Sequence, residues 1–99
     1  MPNQVKLNFT EFDWDKGNKD KSYEKHGITV QEAEEIFLDE NLGVIPDIKH
    51  SSQEQRLVAL GKTLNDKLLL VIFTLRKNKI RVISARIMNK KERKQYESS

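Results

Sequence analysis

Two arginines stand among aliphatic residues in the segment KIRVISARI, residues 79–87. The β-branched residues of this segment are typical of a strand, in which successive side chains point to opposite faces. Regular alternation predicts that Arg86 shares one face with Ile80 and Ser84. Arg81 is then expected on the opposite face. A guanidinium beside aliphatic side chains is costly to bury, so each arginine is expected to reach a sheet edge, a carboxylate or a phosphate.

Arginines in this setting could take part in RNA cleavage. Attack of a ribose 2′-hydroxyl on the adjacent phosphate builds negative charge, which guanidinium groups stabilise without a metal ion. The alternative is that Arg81 and Arg86 form structural ion pairs, for instance with Glu54 or Glu35.

A lysine and a histidine, Lys25 and His26, stand directly before Gly27. An imidazole is suited to moving protons near neutral pH, and the lysine would then bind phosphate. Alternatively, the histidine is a cationic residue in a last helical turn, where it complements the helix dipole, and the lysine is simply solvated.

The segment DIKHSSQEQR, residues 47–56, places four polar candidates close together: Asp47, His50, Glu54 and Arg56. The same composition is typical of an ordinary loop, and Glu54 and Arg56 could form an ion pair. Asp47 and His50 are too few to hold a metal ion, and the chain has no cysteine. We therefore expect neither a metal site nor another cofactor.

Positive charge is concentrated near the end of the chain. The net charge is +3, but residues 1–75 carry 9 basic and 13 acidic residues, whereas residues 76–99 carry 9 basic and 2 acidic ones. This distribution suits a polyanion or an acidic protein partner, although a solubilising surface has the same composition. No apolar run could span a membrane and no signal-peptide pattern opens the chain, so a cytoplasmic protein without a membrane contact is expected.

Local signals predict the elements that position these residues. A polar helix is expected between Asp15, as its N-cap, and Gly27, just past its end. Two capping boxes open two further helices: Thr29 with Glu32, and Asn89 with Glu92. β-prone runs occur at residues 9–12, 42–45, 56–62, 67–75 and 79–87, with tight turns at residues 65–66 and 77–78.

These elements predict one α+β domain over residues 1–99. We expect a small antiparallel sheet, with its last three strands in a meander and two N-terminal helices packed on it. A short C-terminal helix completes the fold. The run LLLVIF is apolar on both faces, which places residues 68–73 at the middle of the sheet.

Seven motifs follow one another along the chain: FDWD, KHGIT, EAEEIF, DIKHS, EQRLVALGKT, IRVISAR and KKERKQY. Together they resemble the BrnT family of toxins from type II toxin–antitoxin modules, over about residues 12–96. The resemblance implies a RelE-like fold and a ribonuclease that inhibits translation and growth by cutting RNA. It also implies a BrnA-like antitoxin, which neutralises the toxin and binds promoter DNA, so that the toxin meets this DNA only indirectly.

The resemblance also points to site residues on the matching motifs, Glu92 among them, and their roles are inferred from side-chain chemistry. The predicted catalytic residues are His26, Glu54, Arg56, Arg81 and Arg86. The predicted RNA-binding residues are Lys25, His50, Ser84, Lys90, Lys91, Arg93 and Tyr96. The arginines would bind and stabilise the scissile phosphate, while His26, or alternatively Glu54, would transfer protons. Many family members have an asparagine where this chain has Ser22, and activity is expected to be lower if that asparagine orients the site.

Two hypotheses follow from the sequence. The first is a metal-independent endoribonuclease toxin. The second is a non-catalytic basic module that docks an acidic partner protein or nucleic acid, with Arg81 and Arg86 purely structural. RNA fragments with cyclic or 3′-phosphate ends, formed equally well in EDTA, would favour the enzyme. Salt-sensitive binding without cleavage, unchanged by His26→Ala, would favour the module.

Overall fold

The structure, a computed structural model, describes residues 11–18, 25–47, 49 and 54–98. It is an α+β fold with a five-stranded sheet. The strands are β1 (Glu11–Phe12), β2 (Gly43–Pro46), β3 (Arg56–Lys62), β4 (Leu68–Arg76) and β5 (Lys79–Ile87), arranged in the order β1-β5-β4-β3-β2. The helices are α1 (Val30–Glu35), which continues into a 3-10 turn (Ile36–Leu38), and the C-terminal α2 (Lys90–Glu97). The predicted strands β2 to β5 are thus confirmed, with β4 at the centre of the sheet.

Tight turns connect β3, β4 and β5 into an antiparallel meander. Lys77 and Asn78 both have positive φ, 52° and 64°, which is the conformation that a two-residue hairpin turn needs. In the turn between β3 and β4, Asp66 has a φ of 65°, and the Thr63 hydroxyl accepts the Lys67 N–H at 3.0 Å. The predicted meander is therefore confirmed, and β2 adds to it as a further antiparallel strand beside β3.

The sheet as a whole is mixed, which corrects the prediction of a purely antiparallel sheet. β1 runs parallel to β5, with Phe12 opposite Ile80, and the Asp13 N–H continues the pairing to the Ile80 carbonyl at 2.7 Å. Parallel neighbours require a long connection, and here the chain from α1 to β4 lies between the two strands. A two-residue strand has no side-chain pattern that could reveal its direction.

The prediction of two N-terminal helices packed on the sheet is also wrong. α1 has six residues and then tightens into the 3-10 turn. The turn ends at the extended residue Asp39, whose N–H donates to the Ile36 carbonyl at 3.1 Å. Residues 16–18 and 25–26 are helical, and the segment between them lies outside the described residues. Among the described residues, the helices with complete bounds are therefore α1 with its 3-10 turn, which precedes strands β2 to β5, and the C-terminal α2, which follows them.

The predicted helix boundaries are confirmed where they can be seen. Thr29 and Glu32 form the capping box of α1. Asn89 and Glu92 form that of α2. Gly27 has a φ of 71°, the left-handed conformation that closes a helix and that glycine adopts without a steric penalty.

A different helix packs on each face of the sheet. On one face, α1 and the 3-10 turn contribute Ala33 and Ile36 to the larger core. On the other face, α2 contributes Tyr96 to a smaller core. The central strand serves both: Leu69, Val71 and Phe73 lie in the larger core and Leu70 lies in the smaller one. This confirms that the LLLVIF run is buried from both sides.

β5 contains a bulge that changes which of its residues share a face. Val82 and Ser84 pair with consecutive residues of β4, so Ile83 between them has no residue directly opposite. Such an extra residue shifts the alternation of the strand by one position. As a result, Val82 and Ala85 both lie in the core beneath α1, although they are three residues apart.

The bulge corrects the predicted placement of the two arginines. Arg81 lies opposite Thr74 of β4, and Arg86 lies opposite Leu70. Thr74 and Leu70 are four residues apart on a strand without a bulge, so their side chains point the same way. Arg81 and Arg86 therefore share the face on which α2 packs, and the prediction that they lie on opposite faces is wrong.

Candidate active site

Three of the predicted catalytic residues are arginines on one face of the sheet. Arg56 of β3 and Arg81 of β5 flank Thr74 of β4. Directly opposite residues on neighbouring strands share a face, and Arg86 lies further along β5 on the same side. We call this surface the arginine face and define it by Arg56, Arg81 and Arg86.

The spacing of these arginines fits an extended ligand. Arg56 and Arg81 are two strands apart, about 10 Å between their backbones at normal strand spacing. Arg86 lies a further four residue steps along the sheet, about 13 Å at the normal rise of a strand. A single phosphate would contact one or two of these groups, whereas a chain of phosphates would contact all three.

Arg81 is held by carboxylates that precede the first helical residues. Its Nη2 donates to Asp15 Oδ2 at 2.7 Å, and its Nη1 lies 3.7 Å from Asp13 Oδ1. The amide of Asn18 anchors this segment to the sheet by donating to the carbonyls of Asp13 and Val82, both at 3.1 Å. Because its side chain is only 20% exposed, Arg81 has a fixed position.

Asp15 is the predicted N-cap, and the structure confirms this role. Its Oδ1 accepts the Asn18 N–H at 3.0 Å, and its own N–H donates to Asn18 Oδ1 at 2.7 Å. The pKa of Asp15 is lowered by the hydrogen bond from the Asn18 backbone and then by the bond from Arg81. Asp15 therefore carries a negative charge that a phosphate must displace to reach Arg81.

Glu54 lies at the edge of the arginine face and pairs with an arginine that the sequence did not single out. The Nε and Nη2 atoms of Arg76 donate to its two carboxylate oxygens at 3.1 and 3.0 Å. This fork lowers the pKa of Glu54, and the positive charges of Arg56 and Arg81 lower it further. A carboxylate with a lowered pKa is a weaker proton acceptor. The environment of Glu54 therefore suits charge pairing better than general-base catalysis.

Arg86 is held in a second fork at the other end of the face. Its Nη1 and Nη2 atoms donate to the two oxygens of Glu92, both at 2.8 Å. The same carboxylate accepts the Asn89 N–H at 2.8 Å and so closes the capping box of α2. The pKa of Glu92 is lowered chiefly by Arg86. The position of Arg86 is thus tied to the start of α2.

An apolar strip separates the two ends of the arginine face. Val58, Ile72 and Ser84 lie side by side across three strands, and all three are half-buried. Leu60 and Leu70, in the next row towards α2, are buried with Tyr96. The strip therefore offers a partly open aliphatic surface between charged groups, which could support a nucleotide base.

α2 adds positive charge on the same side of the sheet. Lys90, Lys91 and Arg93 are exposed, as RNA contacts must be. Tyr96 is different, because it is 8% exposed and its hydroxyl donates to Asp39 Oδ2 at 2.5 Å. The ring packs in the smaller core, so the structure places Tyr96 as an anchor of α2 and not on its exposed surface.

Two of the remaining predicted residues, Lys25 and His26, have no described contact with the arginine face. Lys25 and His26 are exposed in helical conformation, and none of the described hydrogen bonds or ion pairs connects them to the arginines. His50 and Ser22 lie outside the described residues. The fold therefore brings the arginines and Glu54 together, whereas no described contact links them to His26, the residue predicted to transfer protons.

Sequence reasoning missed the ion-pair partners Asp13, Asp15 and Arg76. Asp15 was recognised only as a helix cap, and its second role depends on the parallel strand β1, which brings the segment beside β5. Arg76 follows β4 immediately before the hairpin turn, a position that resembles any solvated turn residue. Only the clustering of charges around Glu54 could have pointed to it.

Among the described residues, no group of three or more His, Cys, Asp or Glu side chains could hold a metal ion. None of the described helices is long and apolar enough to cross a membrane.

A mixed sheet with three arginines on one face, extended by a basic helix, defines a small α+β protein with a surface suited to a polyanion. The profile of one family, described as "Ribonuclease toxin, BrnT, of type II toxin-antitoxin system", matches residues 14–92. The chain belongs to this family of ribonuclease toxins, and membership implies an antitoxin partner. A comparison with curated proteins finds no match.

Proposed function

We propose that the chain is a metal-independent endoribonuclease that cuts RNA on the arginine face and thereby inhibits translation and growth. The observation that carries this proposal is the bulge at Ile83, which brings Arg81 and Arg86 onto the face that already holds Arg56. Three guanidinium groups on one surface can bind successive phosphates and stabilise the charge that develops at one of them.

In the proposed reaction, the ribose 2′-oxygen attacks the adjacent phosphorus and loses its proton. The bond from phosphorus to the 5′-oxygen of the next nucleotide breaks, and this oxygen gains a proton. The products are a 2′,3′-cyclic phosphate and a free 5′-hydroxyl. His26 is proposed to move these protons, because the lowered pKa of Glu54 makes that carboxylate the weaker base.

RNA must compete with the carboxylates of the chain itself. Asp15 holds Arg81 and Glu92 holds Arg86, so a bound phosphate replaces or shares these contacts. The exposed residues Lys90, Lys91 and Arg93 would draw RNA towards the face, and Lys25, Ser84 and His50 remain proposed contacts. Binding is expected to weaken steeply with salt, because each phosphate contact releases counterions.

The regulatory partner is proposed to be a BrnA-like antitoxin that binds promoter DNA, so that the toxin reaches this DNA only through it. We expect the activity in the cytoplasm, where the RNA substrate is.

The decisive experiment combines induced expression with cleavage of purified RNA in EDTA. Wild-type chain should arrest growth and release fragments with cyclic or 3′-phosphate ends. Arg86→Ala and His26→Ala should lose cleavage while still unfolding cooperatively. Lys67→Ala is the matched control, because it removes one cation that pairs with Glu32 of α1 at 2.5 Å, on the side away from the arginine face. A strict requirement for a divalent metal would contradict the mechanism.

One observation favours the second candidate, a non-catalytic basic module. Arg81 and Arg86 each already have a carboxylate partner within the chain, as purely structural arginines would. This candidate predicts RNA binding that falls with salt, no cleavage products, and no change on His26→Ala.

A further inference from the structure

A shallow groove runs along α1, on the opposite side of the sheet from the arginine face. It consists of two adjoining cavities of about 260 and 320 Å³, which share Glu35, Leu38 and Leu64. Glu34 lines one cavity and Asp39 lines the other. We call this surface the leucine groove and define it by these five residues.

The apolar part of the groove is unusually open. Leu38 is 74% exposed and Leu64 is 71% exposed, the highest values among the large hydrophobic side chains of the described residues. Leu38 ends the 3-10 turn, and the N–H of Leu64 donates to Glu35 Oε1 at 3.0 Å. Both leucines therefore have backbones in fixed positions. Adjacent exposed leucines in a concave surface are typical of an interaction site.

The rim of the groove is negative. Glu34 accepts the indole N–H of Trp14 at 2.7 Å. Asp39 accepts the backbone N–H of Lys62 at 2.9 Å and the hydroxyl of Tyr96. These donors are uncharged, so they orient the carboxylates without neutralising them. The lining contains a single cation among the described residues, the Lys62 ammonium.

We propose that the leucine groove is a docking site for a basic, amphipathic segment of the antitoxin. Apolar side chains of that segment would cover Leu38 and Leu64, and its lysines or arginines would face Glu34, Glu35 and Asp39. The charge of the rim disfavours RNA. The basic helix α2 of a second copy is excluded on a different ground, because its large apolar residue, Tyr96, is buried in its own core and is not available to cover the leucines.

This proposal rests on the antitoxin partner that the family implies and is independent of the cleavage mechanism. Arg56 begins β3 and Lys62 ends it, so about 20 Å of strand separates Arg56 from the groove at the normal rise per residue. Arg86, which lies opposite Leu70, is nearer to the groove.

Glu34, Glu35 and Leu38 belong to α1 and its 3-10 turn, which pack on the face opposite the arginines. Asp39 lies where the two sides meet, because it accepts the hydroxyl of Tyr96 from α2, and it is therefore left unchanged in the variants below. Changes in the groove should therefore alter antitoxin binding and leave RNA cleavage intact.

The first test measures the affinity of the chain for a purified BrnA-like antitoxin, the proposed partner, by calorimetric titration without RNA. The double variant Leu38→Ser with Leu64→Ser should bind at least about ten-fold more weakly, because two leucine side chains no longer contribute buried apolar area. The matched control is Leu75→Ser, a partly exposed leucine on β4 outside the groove, which should bind like the wild type.

The second test removes charge while keeping the hydrogen-bond acceptors. In Glu34→Gln with Glu35→Gln, the amide oxygens can still accept the Trp14 and Leu64 N–H groups. Binding should weaken, and its dependence on salt should become shallower. Glu97→Gln, in α2, removes the same charge elsewhere and should leave both quantities unchanged.

Three results would overturn the proposal. The first is antitoxin binding that neither set of variants weakens. The second is a wild-type toxin dimer, seen by sedimentation, that the double leucine variant abolishes, because the occupant would then be a second copy. The third is equal weakening by the groove variants and by their controls. RNA cleavage, measured in parallel, tests the enzymatic proposal separately and is expected to stay at the wild-type rate in all groove variants.

Discussion

Tyr96→Phe should separate the structural role of this tyrosine from its predicted contact with RNA. Tyr96 is 8% exposed, and its hydroxyl donates to Asp39. Burial, followed by the neighbouring carboxylate, raises the pKa of Tyr96 from 10.0 to about 12. The variant removes one hydroxyl and keeps the ring that packs beneath α2. At pH 7 it should cost about 2 kcal/mol of unfolding free energy, the typical contribution of a hydrogen bond to a charged group.

The raised pKa makes the stabilisation depend on pH in a defined direction. Because the folded state favours the neutral phenol, its contribution is complete below pH 10 and is lost as the pH rises towards 12. Each unit of pKa difference corresponds to about 1.4 kcal/mol, so the wild type should lose about that much by pH 11 and nearly twice as much above pH 12. Tyr96→Phe has no such group. The advantage of the wild type over the variant should therefore shrink by about 1.4 kcal/mol between pH 7 and pH 11.

The assay is urea unfolding of both proteins at several pH values from about pH 7 to about pH 11.5, a range in which the phenol of an unfolded chain titrates. Other groups titrate in both proteins alike, so the difference between the curves isolates Tyr96. A constant difference across this range would refute the reasoning, because the hydroxyl would then not be buried against Asp39. RNA binding at pH 7 should be equal in the two proteins, whereas a clear loss in the variant would restore the predicted RNA contact.

Two further predictions concern the supports of the arginine face and of the sheet. Glu92→Ala should lower the unfolding free energy by about 2 kcal/mol, because Arg86 and the start of α2 both lose a charged acceptor. Since the pKa of Glu92 is lowered from 4.5, the stability difference between wild type and variant, measured by urea unfolding, should shrink as the pH falls below that value. A difference that stays constant would contradict the pairing. Gly61→Ala should cost about 1 to 3 kcal/mol, because a Cβ there would lie 2.8 Å from Ile36 Cβ and 3.1 Å from its carbonyl oxygen; a melting temperature equal to that of the wild type would show that the 3-10 turn yields.

Local features of the fold could be predicted because they depend on neighbouring residues. The capping box of Thr29 and Glu32 and the left-handed Gly27 need only a few adjacent positions to be recognised. The turn at Lys77 and Asn78 is equally local. The residues of the candidate site could be named from motifs, but their mutual arrangement required the fold.

The features that the sequence did not reveal all depend on distant contacts. β1 has two residues, and its parallel direction is set by pairing with β5 at the far end of the chain. The fork between Arg76 and Glu54 joins residues that are 22 positions apart. Spacing along the chain could rank neither Asp15 nor Glu92 as a partner of a particular arginine, because each pair is created by the packing of a helix start against the sheet.

The bulge in β5 has a consequence for insertions and deletions in this strand. Ile83 is the residue of β5 with no residue directly opposite on β4. Its removal would leave a regularly alternating strand in which Arg81 and Arg86 still point to the same side. Loss of any other single residue between them, with the bulge retained, would rotate one arginine towards α1. Length variants of β5 should therefore be tolerated at this one position, and alignments that place a gap one residue away would assign the wrong side chains to the arginine face.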